Sequence, residues 1–106
     1  MPGVARSKGR VILDLNSPEF LDVFLQLERD VLVQVVDGLR RLRGMEWTAV
    51  HASNGLNWEQ LHYEAPNGSR VHSFRLSRKA RGVGYREGDF LRVVSLHPDH
   101  DSAYDR

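Results

Sequence analysis

Apolar residues recur at helical spacing in two segments near the start of the chain, 20–28 and 31–43. Each segment places its apolar side chains on one stripe, which is typical of a helix with one buried face. The stripe residues are Phe20, Val23, Phe24 and Leu27 in the first segment, and Leu32, Val35, Val36, Leu39 and Leu42 in the second. Because the segments are close in sequence, they predict an antiparallel helical hairpin whose stripes form core.

Capping residues predict where these helices begin and end. Ser17 is a suitable N-cap for the first helix, and Pro18 stands where a missing N–H is tolerated. Asp30 is expected to cap the second helix, and Gly44 is expected to follow its last turn.

Short β-rich runs lie on either side of the helices. Strands are predicted at 11–15, around 61–63, and at 71–76, 81–86 and 90–96. The turn Glu87-Gly88-Asp89 predicts that the last two strands pair antiparallel. Residues 44–58 are interpreted as a loop or a short strand, with Trp47 and Trp58 as anchors. The predicted fold is α+β: an N-terminal strand, a helical hairpin, then a mainly antiparallel sheet of three to four strands.

Alternation assigns faces to the predicted strands. Val71, Ser73 and Arg75 share one side, opposite Phe74 and Leu76.

In the next strand Arg81, Val83 and Tyr85 share a side, and Gly82 and Gly84 leave the other nearly bare. These glycines are expected to let a helix or a nucleic-acid backbone approach closely.

Composition indicates one small folded domain. The chain has 106 residues and 12.1 kDa, with 41% hydrophobic and 27% charged residues, so we expect a single domain over 1–106 with a flexible start at 1–9. Cysteine is absent, which excludes disulfides and thiolate metal ligands. No apolar run approaches the roughly 20 residues that span a bilayer, and no secretory signal is evident. A cytoplasmic location is therefore expected.

Positive charge is concentrated late in the chain. The net charge is +1, but residues 70–92 hold seven basic residues against only Glu87 and Asp89. This pattern favours a local anionic partner over a general polycation. The alternative is an arginine-rich strand face that is simply solvated.

The stretch HPDHDSAY, residues 97–104, combines metal-competent and acid/base side chains. His97, Asp99, His100 and Asp101 would be metal ligands only if they converged, and Pro98 with a tight turn disfavours that. The stretch is therefore predicted to act without metal, by transferring protons and by stacking on a nucleobase. No cofactor is expected.

The order of motifs from Val11 to Tyr104 resembles the RelE/ParE toxin superfamily of bacterial toxin–antitoxin systems. The resemblance lies in GLNWE at 55–59, FRL at 74–76, Arg81 with Tyr85, and an ending of His-Asp followed by Tyr after an apolar strand.

The resemblance implies an mRNA interferase, an endoribonuclease that enters the ribosomal A site. Such an enzyme cuts mRNA by attack of a ribose 2′-OH on the adjacent phosphate and is neutralised by a cognate antitoxin. It also leaves open a non-catalytic protein, either a ParE-like gyrase inhibitor or an inactivated toxin that binds an antitoxin.

Roles follow from the resemblance and from the chemistry that RNA transesterification requires. Arg81 is expected to stabilise the phosphate, and the alternative is a surface arginine paired with Glu87 or Asp89. His100 is the first candidate for general acid or base, and Tyr104 is expected to stack on a base or assist proton transfer. The full catalytic set is Arg81, His97, His100, Asp101 and Tyr104, and the RNA-binding set is Arg75, Arg78, Lys79 and Tyr85.

The chain also departs from the family pattern. RelE carries lysines in the strand before its catalytic arginine, and Lys79 does not stand at that place. The histidine-rich ending therefore takes over proton transfer, or the protein does not cleave.

Overall fold

The computed structural model describes residues 9–99, so the expectations for 1–8 and 100–106 fall outside it. The elements in chain order are β1 (Ile12–Asp14), α1 (Pro18–Phe24), α2 (Arg29–Leu42), α3 (Trp47–Ala52), β2 (Glu59–Glu64), β3 (Arg70–Arg75), β4 (Arg81–Glu87) and β5 (Phe90–His97). The predicted α+β class is confirmed.

All five strands form one sheet in the order β1-β5-β4-β3-β2. β2 to β5 pair antiparallel in chain order, as expected, and β1 joins the sheet parallel to β5. The sequence did not predict this last pairing, because a three-residue strand carries no signal for its neighbour.

The helix caps agree with the sequence at two of three positions. The Ser17 hydroxyl accepts a hydrogen bond from the Phe20 amide at 3.2 Å and donates one to the Val94 carbonyl at 2.8 Å, which ties α1 to β5. Gly44 follows α2 with a φ of +83°. The prediction for Asp30 is wrong, since α2 begins at Arg29 and Asp30 lies in its first turn. There the carboxylate faces the positive end of the helix dipole.

The helices cover one face of the sheet. Their predicted stripes supply buried residues that pack against apolar side chains of β3 and β5: Phe20, Val35, Leu39 and Leu42 from the helices, and Phe74, Leu91, Val93 and Leu96 from the strands. Trp47 is buried in this core, and Trp58 packs at its edge. Within residues 9–99, no helix is long and apolar enough to cross a membrane.

The interpretation of residues 44–58 as a loop or short strand is wrong for Trp47–Ala52, which form α3. Trp47 and Val50 lie three residues apart and bury one side of this helix. A helix of six residues contains too few apolar positions for its period to be recognised.

The space beside the β4 glycines is filled from within the sheet, contrary to expectation. A Cβ at Gly82 would lie 2.5 Å from the Phe74 ring, and one at Gly84 would lie 2.4 Å from the Arg92 carbonyl oxygen. Gly82 therefore admits a core aromatic ring, and Gly84 accommodates the irregular pairing of β4 with β5.

The close approach of a helix occurs instead at Gly38 in α2. A Cβ there would lie 1.9 Å from the carbonyl oxygen of Leu76, which follows β3 directly. The absence of a side chain lets α2 lie against the backbone at this end of the sheet.

Candidate active site

A cluster of buried polar side chains lies on the face of the sheet opposite the helices. Ser73, Arg81, Ser95 and His97 are the buried polar residues among 9–99, and we call them the polar cluster. They come from β3, β4 and β5, whose pairing sets Arg81 directly beside His97. The alternation that points Phe74 and Leu96 into the core turns the cluster residues the other way.

Arg81 is the largest fully buried side chain of the described protein, at 1% exposure. Its Nη2 donates to the Ser73 hydroxyl at 3.0 Å and to the Asn57 carbonyl at 2.9 Å. Asn57 has a φ of +49°, a conformation that is uncommon for residues other than glycine. The guanidinium is thus held between Asn57, which precedes β2, and Ser73, which lies in β3.

The alternative partners considered for Arg81 are engaged elsewhere. Glu87 accepts a hydrogen bond from Arg92 at 2.9 Å, and Asp89 lies 3.7 Å from Arg86. Both carboxylates are at the far end of β4 or beyond it, so the surface pairing proposed for Arg81 is wrong.

His97 is the last residue of β5 and is 7% exposed. Its Nε2 lies 2.9 Å from the Ser95 hydroxyl. Within the polar cluster, Ser73 therefore contacts Arg81 and Ser95 contacts His97. The cluster therefore combines a permanent cation, a titratable ring and two hydroxyls on neighbouring strands. This set can hold an oxyanion and exchange a proton if a substrate reaches it.

Three of the four residues predicted to bind RNA lie next to the polar cluster. Arg75 is paired with Arg81 in the sheet, and Arg78 and Lys79 are exposed in the connection between β3 and β4. The amide of Ala80 donates to the Ser77 hydroxyl at 3.0 Å, which fixes this connection as a compact turn.

Tyr85 does not belong to this group. It lies four residues from Arg81 on β4, roughly 13 Å along the strand. There its ring packs with Val71 and Val83 in a second, smaller apolar cluster. The structure thus places Tyr85 away from Arg81.

Three predicted site residues, His100, Asp101 and Tyr104, lie outside the described residues. The metal-free interpretation of 97–104 stays a prediction for the same reason. Asp99 is described and exposed.

Sequence analysis did not assign a role to Asn57, Ser73 or Ser95, although each contacts a predicted site residue. A signal was present for the serines. Ser95 stands between Val94 and Leu96, and Ser73 directly precedes Phe74, and a hydroxyl buried in a strand indicates a buried polar partner.

Arg92 in β5 also has several partners, and its role is structural. It donates to Asp14 at 2.6 Å and to Glu87 at 2.9 Å, and so connects β1, β5 and the end of β4. The hydrogen bond from Arg92 lowers the pKa of Asp14 below its usual value.

An aromatic group surrounds Trp58 on the helix side of the sheet. The His72 ring stacks on Trp58 with 4.5 Å between centroids, and the His51 ring meets Trp58 edge-on at 5.8 Å. Burial lowers the pKa of His72, with a smaller contribution in the same direction from the nearby His51. His72 is therefore a neutral packing residue at neutral pH.

No family model, curated protein or solved structure matches this chain. The chain is a small α+β protein with helices followed by a mixed five-strand sheet. The likeness to RelE/ParE toxins rests on the motifs quoted from the sequence.

Proposed function

We propose that this protein is a RelE-like toxin that cleaves mRNA, on the ribosome, and that a cognate antitoxin inhibits it. The supporting observation is the pairing of Arg81 with His97 across β4 and β5. This pairing brings the predicted phosphate-binding cation next to the histidine that leads into the sequence HPDHDSAY.

The proposed reaction needs no metal. The ribose 2′-oxygen loses its proton to a base and bonds to phosphorus, and the 5′-oxygen leaves with a proton from an acid, which yields a 2′,3′-cyclic phosphate. Arg81 stabilises the charge on the phosphorane. His97 and His100 are the candidates for the two proton transfers, Asp101 orients a histidine, and Tyr104 stacks on a base.

The burial of Arg81 and His97 adds a requirement to this mechanism. At 1% and 7% exposure, neither side chain can contact a phosphate in the arrangement described. The proposal therefore includes an opening of the polar cluster when RNA binds.

The same burial favours a second candidate function, a non-catalytic binding module. In that case Arg81 is a structural residue that fastens Asn57 to β3, and the protein acts by binding gyrase or an antitoxin. The two candidates differ in whether the polar cluster contacts substrate.

Controlled expression with primer-extension mapping of translated mRNA tests the proposal. We expect growth arrest and new 5′ ends, both relieved by Arg81→Met, His97→Gln and His100→Ala, while the exposed control Arg40→Ala retains them. Circular dichroism checks that each variant is folded, and Arg81→Met keeps much of the buried volume. Growth arrest without new 5′ ends, or arrest that survives these substitutions, would select the binding module.

A further inference from the structure

An open cleft of about 330 Å³ lies where the connection after β3 meets the last turn of α2 and the loop at 53–56. Three arginines from separate elements line it: Arg41 from α2, Arg75 from the end of β3, and Arg78 from the connection. Gly38 makes this meeting possible, since it lets α2 lie against Leu76.

Among the described residues, no carboxylate lines this cleft. The four ion pairs within residues 9–99 involve none of Arg41, Arg75 and Arg78. All three side chains are exposed. Like charges that converge repel one another, and a bound anion reduces that repulsion.

The remaining lining of the cleft is partly apolar. Met45 and Leu56 are half-buried and contribute to the core edge, and Ser77 offers a hydroxyl. A free inorganic anion would leave the apolar part of this surface uncovered. A nucleotide matches both parts, because its phosphate suits guanidinium groups and its base has an apolar face.

The cleft lies at the same end of the sheet as the polar cluster, because Arg75 is the sheet partner of Arg81. The cluster itself faces away from the helices, so an RNA that reaches both sites must pass around this end of the sheet. We propose that the cleft binds one nucleotide of a single-stranded RNA next to the nucleotide that is cut, with its phosphate on Arg41, Arg75 and Arg78 and its base against Met45 and Leu56. The link to a cut rests on the proposed function, but binding itself does not.

Asp37 sets a limit on the affinity of this site. It lies one helical turn before Arg41, and both line a neighbouring depression of about 220 Å³ together with Arg78. Its carboxylate repels a phosphate bound to these arginines, so we expect Asp37→Asn to tighten RNA binding.

Fluorescence anisotropy with a labelled 2′-O-methyl RNA oligonucleotide tests the proposal. This probe lacks the 2′-OH nucleophile, so its binding is measured apart from cleavage. We expect Arg41→Ala to weaken binding by about 10- to 100-fold, the loss typical of a charge-assisted hydrogen bond. The slope of log K against log salt should fall in magnitude by about 0.7, one phosphate contact of a single strand.

Arg40→Ala is the matched control. Arg40 precedes Arg41 on the same helix, is exposed, and does not line the cleft. Both substitutions remove one positive charge, so the two variants have the same net charge. We expect its affinity and salt slope to stay near those of the unmodified protein. Equal losses from Arg40→Ala and Arg41→Ala would overturn the proposal, because they would indicate general attraction between charges.

Two further outcomes separate this inference from the proposed function. Binding that depends on Arg41, in a protein that leaves natural RNA uncut, supports the cleft and contradicts the nuclease. Cleavage by an Arg41→Ala variant with unchanged affinity for the probe overturns the cleft and leaves the nuclease standing. A poly-glutamate peptide that binds as tightly as the RNA, with the same dependence on Arg41, would also overturn the assignment to a nucleotide.

Discussion

Gly38→Ala is expected to destabilise the protein, although alanine is the better helix former. The added Cβ would lie 1.9 Å from the Leu76 carbonyl oxygen, and an ordinary contact needs at least 3.4 Å. Either α2 or the chain after β3 must therefore move by about 1.5 Å, the difference between these two distances. The obstacle is backbone, which cannot rotate away as a side chain would.

The displacement also affects the core. Val35, Leu39 and Leu42 hold α2 against the sheet, and each is buried. Overpacking of this kind costs about 1–3 kcal/mol, and the gain in helix propensity from glycine to alanine returns about 1 kcal/mol. Because the clash involves backbone and a helix with three buried anchors, we expect the cost to lie at the upper end of this range, about 3 kcal/mol. The net loss in the free energy of unfolding is then about 2 kcal/mol.

Urea unfolding followed by tryptophan fluorescence measures this change, since Trp47 and Trp58 both contact the core. Gly55→Ala is the control, because its new Cβ would lie at an ordinary contact distance, 3.7 Å, from the Ser53 hydroxyl. We expect that variant to be unchanged or stabilised by up to about 1 kcal/mol. A Gly38→Ala protein as stable as the original would refute the reasoning, since α2 could then not be held so close to Leu76.

Three further predictions concern buried and charged groups. Burial lowers the pKa of His72 below its usual 6.5, so the unfolded chain takes up the proton first as pH falls. The free energy of unfolding should therefore decrease as pH drops from 6.5 toward the lower pKa of the folded protein. Urea midpoints across this range should show a pH slope, and His72→Gln should reduce that slope. The hydrogen bond from Arg92 lowers the pKa of Asp14, so the stability that this pair provides is present above about pH 3.8 and is lost as pH falls through the pKa of the folded protein. Asp14→Asn should remove that part of the acid sensitivity, measured by thermal unfolding at low pH. Ser73→Ala should lower the free energy of unfolding by about 1–3 kcal/mol, because a buried guanidinium loses an acceptor, and urea titration would contradict this if the change were negligible.

Periodic patterns predicted the parts of the fold that depend on local sequence. The stripe of α2 and the alternation in β3 each describe one buried face, and the observed core contains Val35, Leu39 and Phe74 as expected. Ser17 was recognisable because an N-cap acts over three residues.

Long-range contacts could not be predicted in this way. The short helix α3, the position of β1 and the packing of Gly38 on Leu76 depend on residues far apart in the chain. The candidate site likewise combines predicted and unpredicted residues. Sequence motifs predicted Arg81 and His97 as site residues. They did not predict the carbonyl of Asn57, because a backbone acceptor has no side-chain signature.

The location of β5 has a consequence for synthesis of the chain. β5 is the last strand described, yet it separates β1 from β4, and α1 is fastened to it through Ser17 and Val94. A ribosome that makes this protein therefore releases β1 and α1 well before the strand that completes their packing. The sheet assembles fully only after residue 97 has left the exit tunnel, so until then β1 and α1 lack the strand that completes their packing and stay accessible to binding partners.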